Sequence, residues 1–102
     1  MNDEEMMTVM NLIVDAGDAK SCAMEAIQLA KSGDFEAAKL SLNNSNEAIS
    51  RSHEAQTGLI QKAAAGEPVP LNLFLVHAQD HIMTAILAKD LATEIVELYE
   101  KK

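Results

Sequence analysis

Apolar residues along this chain return every three or four positions, the spacing of one face of a helix. Met6, Met10, Ile13, Gly17, Met24 and Ile27 approximate one stripe, with Asn2 or Asp3 placed to cap it. Phe35, Ala38, Leu42, Ile49, the pair Leu59 and Ile60, and Ala63 form a second. It is crossed by Asn43-Asn44-Ser45-Asn46, whose side chains compete for backbone hydrogen bonds, so this is where continuity of the helix is weakest. Two clusters of breakers punctuate the pattern, Ser32-Gly33-Asp34 and Gly66-Glu67-Pro68-Val69-Pro70. Gly33 suits a helix C-terminus and Asp34 the cap of the next helix. Gly66 closes a helix, and Pro70 suits the first turn of its successor. Helices over roughly 3–32, 34–65 and 70–101 follow, with no competing strand alternation. Connections this short imply antiparallel neighbours, hence an all-α, antiparallel up-down-up three-helix bundle in a single domain.

The third segment differs in kind. Projected at about 100° per residue, Lys89, Asp90, Glu94 and Glu97 gather on one side, and His77, Asp80, His81 and Thr84 on another. The second sector continues as Leu87, Ala88, Leu91, Ile95, Leu98 and Tyr99, and it is flanked by Ala78, Ile82, Ala85 and Ile86. A polar quartet therefore interrupts an apolar face. A helix apolar over most of its circumference needs more than two neighbours to cover it, which predicts self-association through this helix.

Composition narrows the partners. The 102 residues carry a formal net charge of −8, from 16 acidic and 8 basic side chains. No basic stripe is interleaved with aromatics, so nucleic acid is excluded as a partner, and an anionic membrane surface is disfavoured. A protein with a basic docking face fits this charge. Cys22 stands alone, so no intramolecular disulfide forms, and a small hydrophobe packed in a helix is the role expected of it. The opening MNDEEMM is acidic where a signal peptide is basic, and no apolar run reaches membrane-spanning length. A cytoplasmic location is expected.

Four convergent polar groups on an apolar stripe call for an explanation, because each costs about 1–3 kcal/mol if buried unpaired. One explanation is structural, each histidine satisfied by a neighbouring carbonyl or hydroxyl. A second is metal binding. His77 and His81, at i and i+4, point the same way, with Asp80 between them and His53 on the second helix near the same level. The sequence HAQDH lacks the glutamate of the HExxH zinc motif, however. A third is nucleophilic. A neutral imidazole attacking a phosphoryl group gives a phosphohistidine, and that chemistry needs little beyond positioning and hydrogen bonds to the phosphoryl oxygens. Gln79, His81, Thr84 and Gln56 are the candidates to supply those bonds, and no glycine-rich phosphate cradle supports nucleotide binding.

The stretch VHAQDHIMTAILAKDL, Val76 to Leu91, closely resembles the active-site helix of the lactose/cellobiose-type enzyme IIA of the bacterial sugar phosphotransferase system. LIVDAGDAKS, AKSGDFEAAK, SHEAQTGLI and LATEIVELYEK extend the similarity over most of the chain. The resemblance implies a homotrimer of three-helix bundles that relays phosphate. It makes His77 the phosphoacceptor, taking the phosphoryl group from phosphohistidine on the carrier protein HPr. His77 then passes it to a cysteine of the cognate IIB, which phosphorylates a disaccharide of the cellobiose, chitobiose or lactose type entering through the membrane component IIC. It further implies that Asp80 from each of three subunits surrounds a metal ion, Mg²⁺, at the threefold axis. Gln79 and His81 are expected to support His77, and His53, Gln56 and Thr57 to line the same cleft. Asp80 is displaced from His77 by about 60° and about 4.5 Å along the helix, so one can face the axis while the other faces a cleft.

Overall fold

The computed structural model describes residues 2–69 and 71–102. Three helices occupy nearly all of it: α1 (Asp3–Lys31), α2 (Phe35–Ala64) and α3 (Leu73–Glu100), and no strand occurs among the described residues. Each start is set by a side chain. Asn2 accepts from the Glu5 amide at 2.7 Å while the Glu5 carboxylate accepts from the Asn2 amide, a reciprocal capping box. Asp34 caps α2 through the Ala37 amide at 3.2 Å. Gly33 and Gly66 adopt φ of +85° and +81°. They close α1 and α2 in Schellman turns, with Asp34 N–H donating to the Leu29 carbonyl and Glu67 N–H to that of Lys62. The third helix begins later than the expected residue 70. Asn72, extended at φ −146°, is its cap and accepts from the Leu75 amide at 3.0 Å. Pro70 lies outside the described residues.

The Asn43–Asn46 patch does not interrupt α2. Asn43, Asn44 and Asn46 point to solvent, while Ser45 is buried together with Leu42 and Ala48. Tertiary packing on that face outweighs the poor local propensity.

The inward face of α1 is Val9, Leu12, Ala16, Ala19, Ala23, Ala26 and Ala30, spaced alternately three and four apart. The stripe expected from hydropathy is therefore displaced: Met10 and Met24 are exposed, and Met6, Ile13, Gly17 and Ile27 are only half-buried. Alanine contributes little to a hydropathy pattern, yet it lets helix backbones approach closely. On α2 the matching face carries serines. Ser41, Ser45 and Ser52 donate to the carbonyls of Cys22 (2.8 Å), Ala19 (2.7 Å) and Leu12 (3.2 Å). The rungs of this ladder climb one helix as they descend the other, so α2 runs against α1. Every buried hydroxyl in it has a partner, which removes the penalty for burying it.

Against α1 also packs α3. Val9, Leu12, Ala16 and Ala19 share one cluster with Leu75, Ala78, Ile82 and Ala85, and Ala23, Ala26 and Ala30 share a second with Ala92 and Val96. Leu12, Ile82 and Val96 are among the largest fully buried side chains, each contributing about 1.5–3 kcal/mol by leaving water. α1 is thus the spine, touching both partners extensively, while α2 and α3 meet over a much smaller area.

Candidate functional site

His77 stands in the second turn of α3 with its side chain exposed. One turn on, His81 is half-buried, and the two rings meet edge to face with centroids 4.4 Å apart and planes at 87°. The i, i+4 spacing thus brings together the two histidines that the sequence singled out. His81 is held below the ordinary histidine range, first by burial and then by the neighbouring His77 and Lys20, with Asp80 opposing. Lys20 reaches this site from α1 and was not evident as a site residue. Nothing in its own surroundings in the sequence signals it, because its position follows only from how α1 lies beside α3.

The remaining motif residues point elsewhere. Gln79 is about 200° around the helix from His77, and its Oε1 accepts from Gln56 Nε2 at 2.6 Å. This pair ties α2 to α3, and Gln56 is buried. Within one chain, therefore, neither glutamine joins His77. Thr84 spends its hydroxyl proton on its own helix, donating to the carbonyls of Asp80 (3.0 Å) and His81 (3.1 Å). It is not a free donor for phosphoryl oxygens. His53 is exposed on α2, with Nδ1 3.4 Å from the Thr57 hydroxyl.

Asp80 is exposed and makes no ion pair among the described residues. Leu73, Leu87, Leu91 and Leu98 fall within about 20° of it around the helix. Their exposures of 80%, 58%, 54% and 66% make this an outward apolar stripe with one carboxylate in it. The leucines of the sector that continues the polar quartet are thus outside the bundle core, while Ala88 and Tyr99 pack against it. Phe74, Val76 and Met83 extend the exposed apolar surface on α3, and Met7, Met10 and Val14 do so on α1. Surfaces of this kind mark interaction sites. Among the described residues, no three His, Cys, Asp or Glu side chains group to hold a metal ion. A zinc site at His77 and His81 finds no third ligand among the described residues, and a cation at Asp80 would need ligands from outside them.

Cys22 is half-buried on α1. Burial pushes its thiol up, and Glu25 and Asp18 add to the shift, so it is a poor nucleophile. No helix among the described residues is long and apolar enough to cross a membrane.

These features have counterparts in known proteins. The chain is 48% identical over 101 residues to the lichenan-specific phosphotransferase enzyme IIA component of Bacillus subtilis (strain 168), covering 99% of this chain and 92% of that one. It superposes on the crystal structure of the cellobiose-specific enzyme IIA from Bacillus anthracis with a TM-score of 0.94 at 42% identity, covering 99% and 93% of the two chains. It also superposes on the enzyme IIA of the N,N'-diacetylchitobiose branch of the Escherichia coli phosphotransferase system, solved in complex with HPr. There the TM-score is 0.84 at 44% identity, with 98% and 97% covered. The family described as "PTS system, Lactose/Cellobiose specific IIA subunit" matches residues 7–100, and with an exposed histidine on a helix of this shape the chain belongs to that family.

Proposed function

We propose that this protein is a phosphoryl-relay component of a sugar phosphotransferase system, with His77 as the residue that carries the phosphate. HPr is the donor and a cysteine of the cognate IIB the acceptor. The observation that carries this reading is the exposed His77, its ring standing against His81, with the exposed apolar residues Leu73 and Phe74 one turn before it on the same face of the helix. An exposed imidazole can be reached by two protein partners in turn. The apolar surround gives their docking faces something to cover, and covering it removes water from a labile P–N bond. The chemistry asks little more of the chain than positioning, because the phosphoryl group moves between nucleophiles that the partners supply.

The assembly we propose is a homotrimer of up-down-up bundles in the cytoplasm, joined along the outward stripe of α3. Burying Leu87, Leu91 and Leu98 there gives the apolar surface a partner. It also brings three Asp80 carboxylates together, and like charges meeting at an apolar seam repel unless a cation neutralises them. Oxygen ligands suit a hard ion such as Mg²⁺. Asp80 from each subunit would hold it, and its charge would offset the repulsion. Its role is structural, and the transfer at His77 is not routed through it. The sugar, a disaccharide of the cellobiose or chitobiose kind, is selected by the membrane component that binds it.

The test is incubation with phosphoenolpyruvate and the two general carrier proteins. The expected result is an acid-labile mass gain of one phosphate per chain, lost in His77→Ala while the helical oligomer persists. Uptake of phosphate undiminished in that variant would falsify the assignment.

A further inference from the structure

Of the eight basic side chains, Lys39, Arg51, Lys62 and Lys89 stand in ion pairs, and Lys31, Lys101 and Lys102 lie exposed at helix ends. Lys20 is different. It is half-buried within α1 and makes no ion pair among the described residues, in a chain with twice as many acids as bases. Its direction follows from its neighbours. Asp15 faces α2 through its ion pair with Arg51, and Lys20 is about 140° around α1 from it. On α3, Gln79 faces α2 through Gln56, and His77 and His81 are each about 160° around from it. The lysine and the two histidines therefore share the α1–α3 seam on the side that α2 leaves open. Lys20 is one turn beyond Ala16 and His81 one turn before Ala85, and those two alanines pack in one cluster. Helical side chains lean toward the N-terminus of their helix, which carries the Lys20 stem back over Ala16. Its charge is accordingly felt at His81.

We infer that Lys20 supplies the counter-charge for the phosphoryl group that His77 carries. This rests on the relay reading above and brings into the site a residue from a second helix. Phosphorylation adds an anionic group to a chain whose formal charge is already −8, at a motif, HAQDH, that holds no permanent cation of its own. An ammonium not committed to a carboxylate keeps its charge for the incoming group, and partial burial weakens its screening by salt. In the transfer, the P–N bond to the donor imidazole breaks and its electron pair returns to that ring. A lone pair of His77 forms the new P–N bond. The proton shed by the His77 ring balances the one taken up by the donor ring, and Lys20 stays protonated throughout. Its field lowers the free energy of phosphorylated His77 relative to the free histidine, and so draws phosphate from the donor.

The equilibrium of phosphate between HPr and this protein reads that preference directly, because contacts made only while the two proteins are docked cancel from it. Phosphorus NMR of the mixtures gives both populations, at helical content matched by circular dichroism. Lys20→Met keeps the stem and removes the charge. It should move the equilibrium constant at least about 3-fold toward phospho-HPr, and Lys20→Glu should move it further the same way. Lys20→Gln serves as a second neutral variant, and Lys20→Arg should stay within about 2-fold of the parent. The differences should shrink as ionic strength rises. A shift below about 3-fold in both neutral variants, or one no larger in glutamate than in methionine, overturns the proposal and leaves the lysine as a stem covering the seam. Failure of the parent protein to accept phosphate sinks the relay reading instead.

Discussion

The serine ladder between α1 and α2 offers a sharp test of how closely those helices pack. Ser45 is fully buried against the equally buried Ala19 and donates to its carbonyl at 2.7 Å. Ser45→Ala removes that bond but strands nothing, because the Ala19 carbonyl keeps its own helical partner. The loss is near the net value of one hydrogen bond, about 1 kcal/mol. The better helix propensity of alanine returns a few tenths of that. Ser45→Leu places a branched four-carbon side chain where a hydroxymethyl fitted, which adds an overpacking cost of about 1–3 kcal/mol to the lost bond. For a chain of this size each kcal/mol lowers Tm by about 4–8 °C. Alanine should therefore cost a few degrees and leucine at least about 10 °C. Thermal unfolding followed by far-ultraviolet circular dichroism would read the difference, at one fixed protein concentration because the proposed trimer would make Tm concentration-dependent. A leucine variant that melts at or above the parent temperature refutes close approach at this rung, since a loose seam would gain from the added apolar area.

Two other substitutions address the site. Gln79→Ala removes the acceptor of the buried Gln56 amide and should destabilise by about 1–2 kcal/mol while changing phosphate acceptance by less than about 3-fold; a catalytic defect at unchanged stability, read by parallel melts and transfer rates, contradicts the tether. Asp80→Leu should leave a trimer at least as stable as the parent and insensitive to chelator, whereas the parent trimer should weaken on chelation. Sedimentation with and without chelator checks this, and dissociation of the leucine variant counts against an axial carboxylate.

The helix ends were legible because their chemistry is local. Asn2, Asp34 and Gly33 act within one turn of where they stand, and the structure uses each as the sequence implies. The start of α3 was less legible because Pro70 and Asn72 are both good helix openers, and the side-chain cap at Asn72 set the boundary. The phase of α1 was misleading for a different reason. Hydropathy weights Met10 and Met24 heavily and Ala16 and Ala23 lightly, but small residues pack two helices together while large ones are left for other surfaces. At the site, spacing alone paired His77 with His81. Gln79 sits inside the same motif, yet its direction around the helix assigns it to Gln56. Lys20 was beyond reach, because its approach to His81 is set by the register of α1 against α3.

That α3 leans mainly on α1 has a further meaning for traffic at the site. Unlike α1, the rod bearing His77 has much of its girth unclaimed by its own fold. In the proposed trimer, sister subunits and visiting carriers would divide the remainder among themselves by azimuth. A helix wedged symmetrically between two others would have had no such berth to offer.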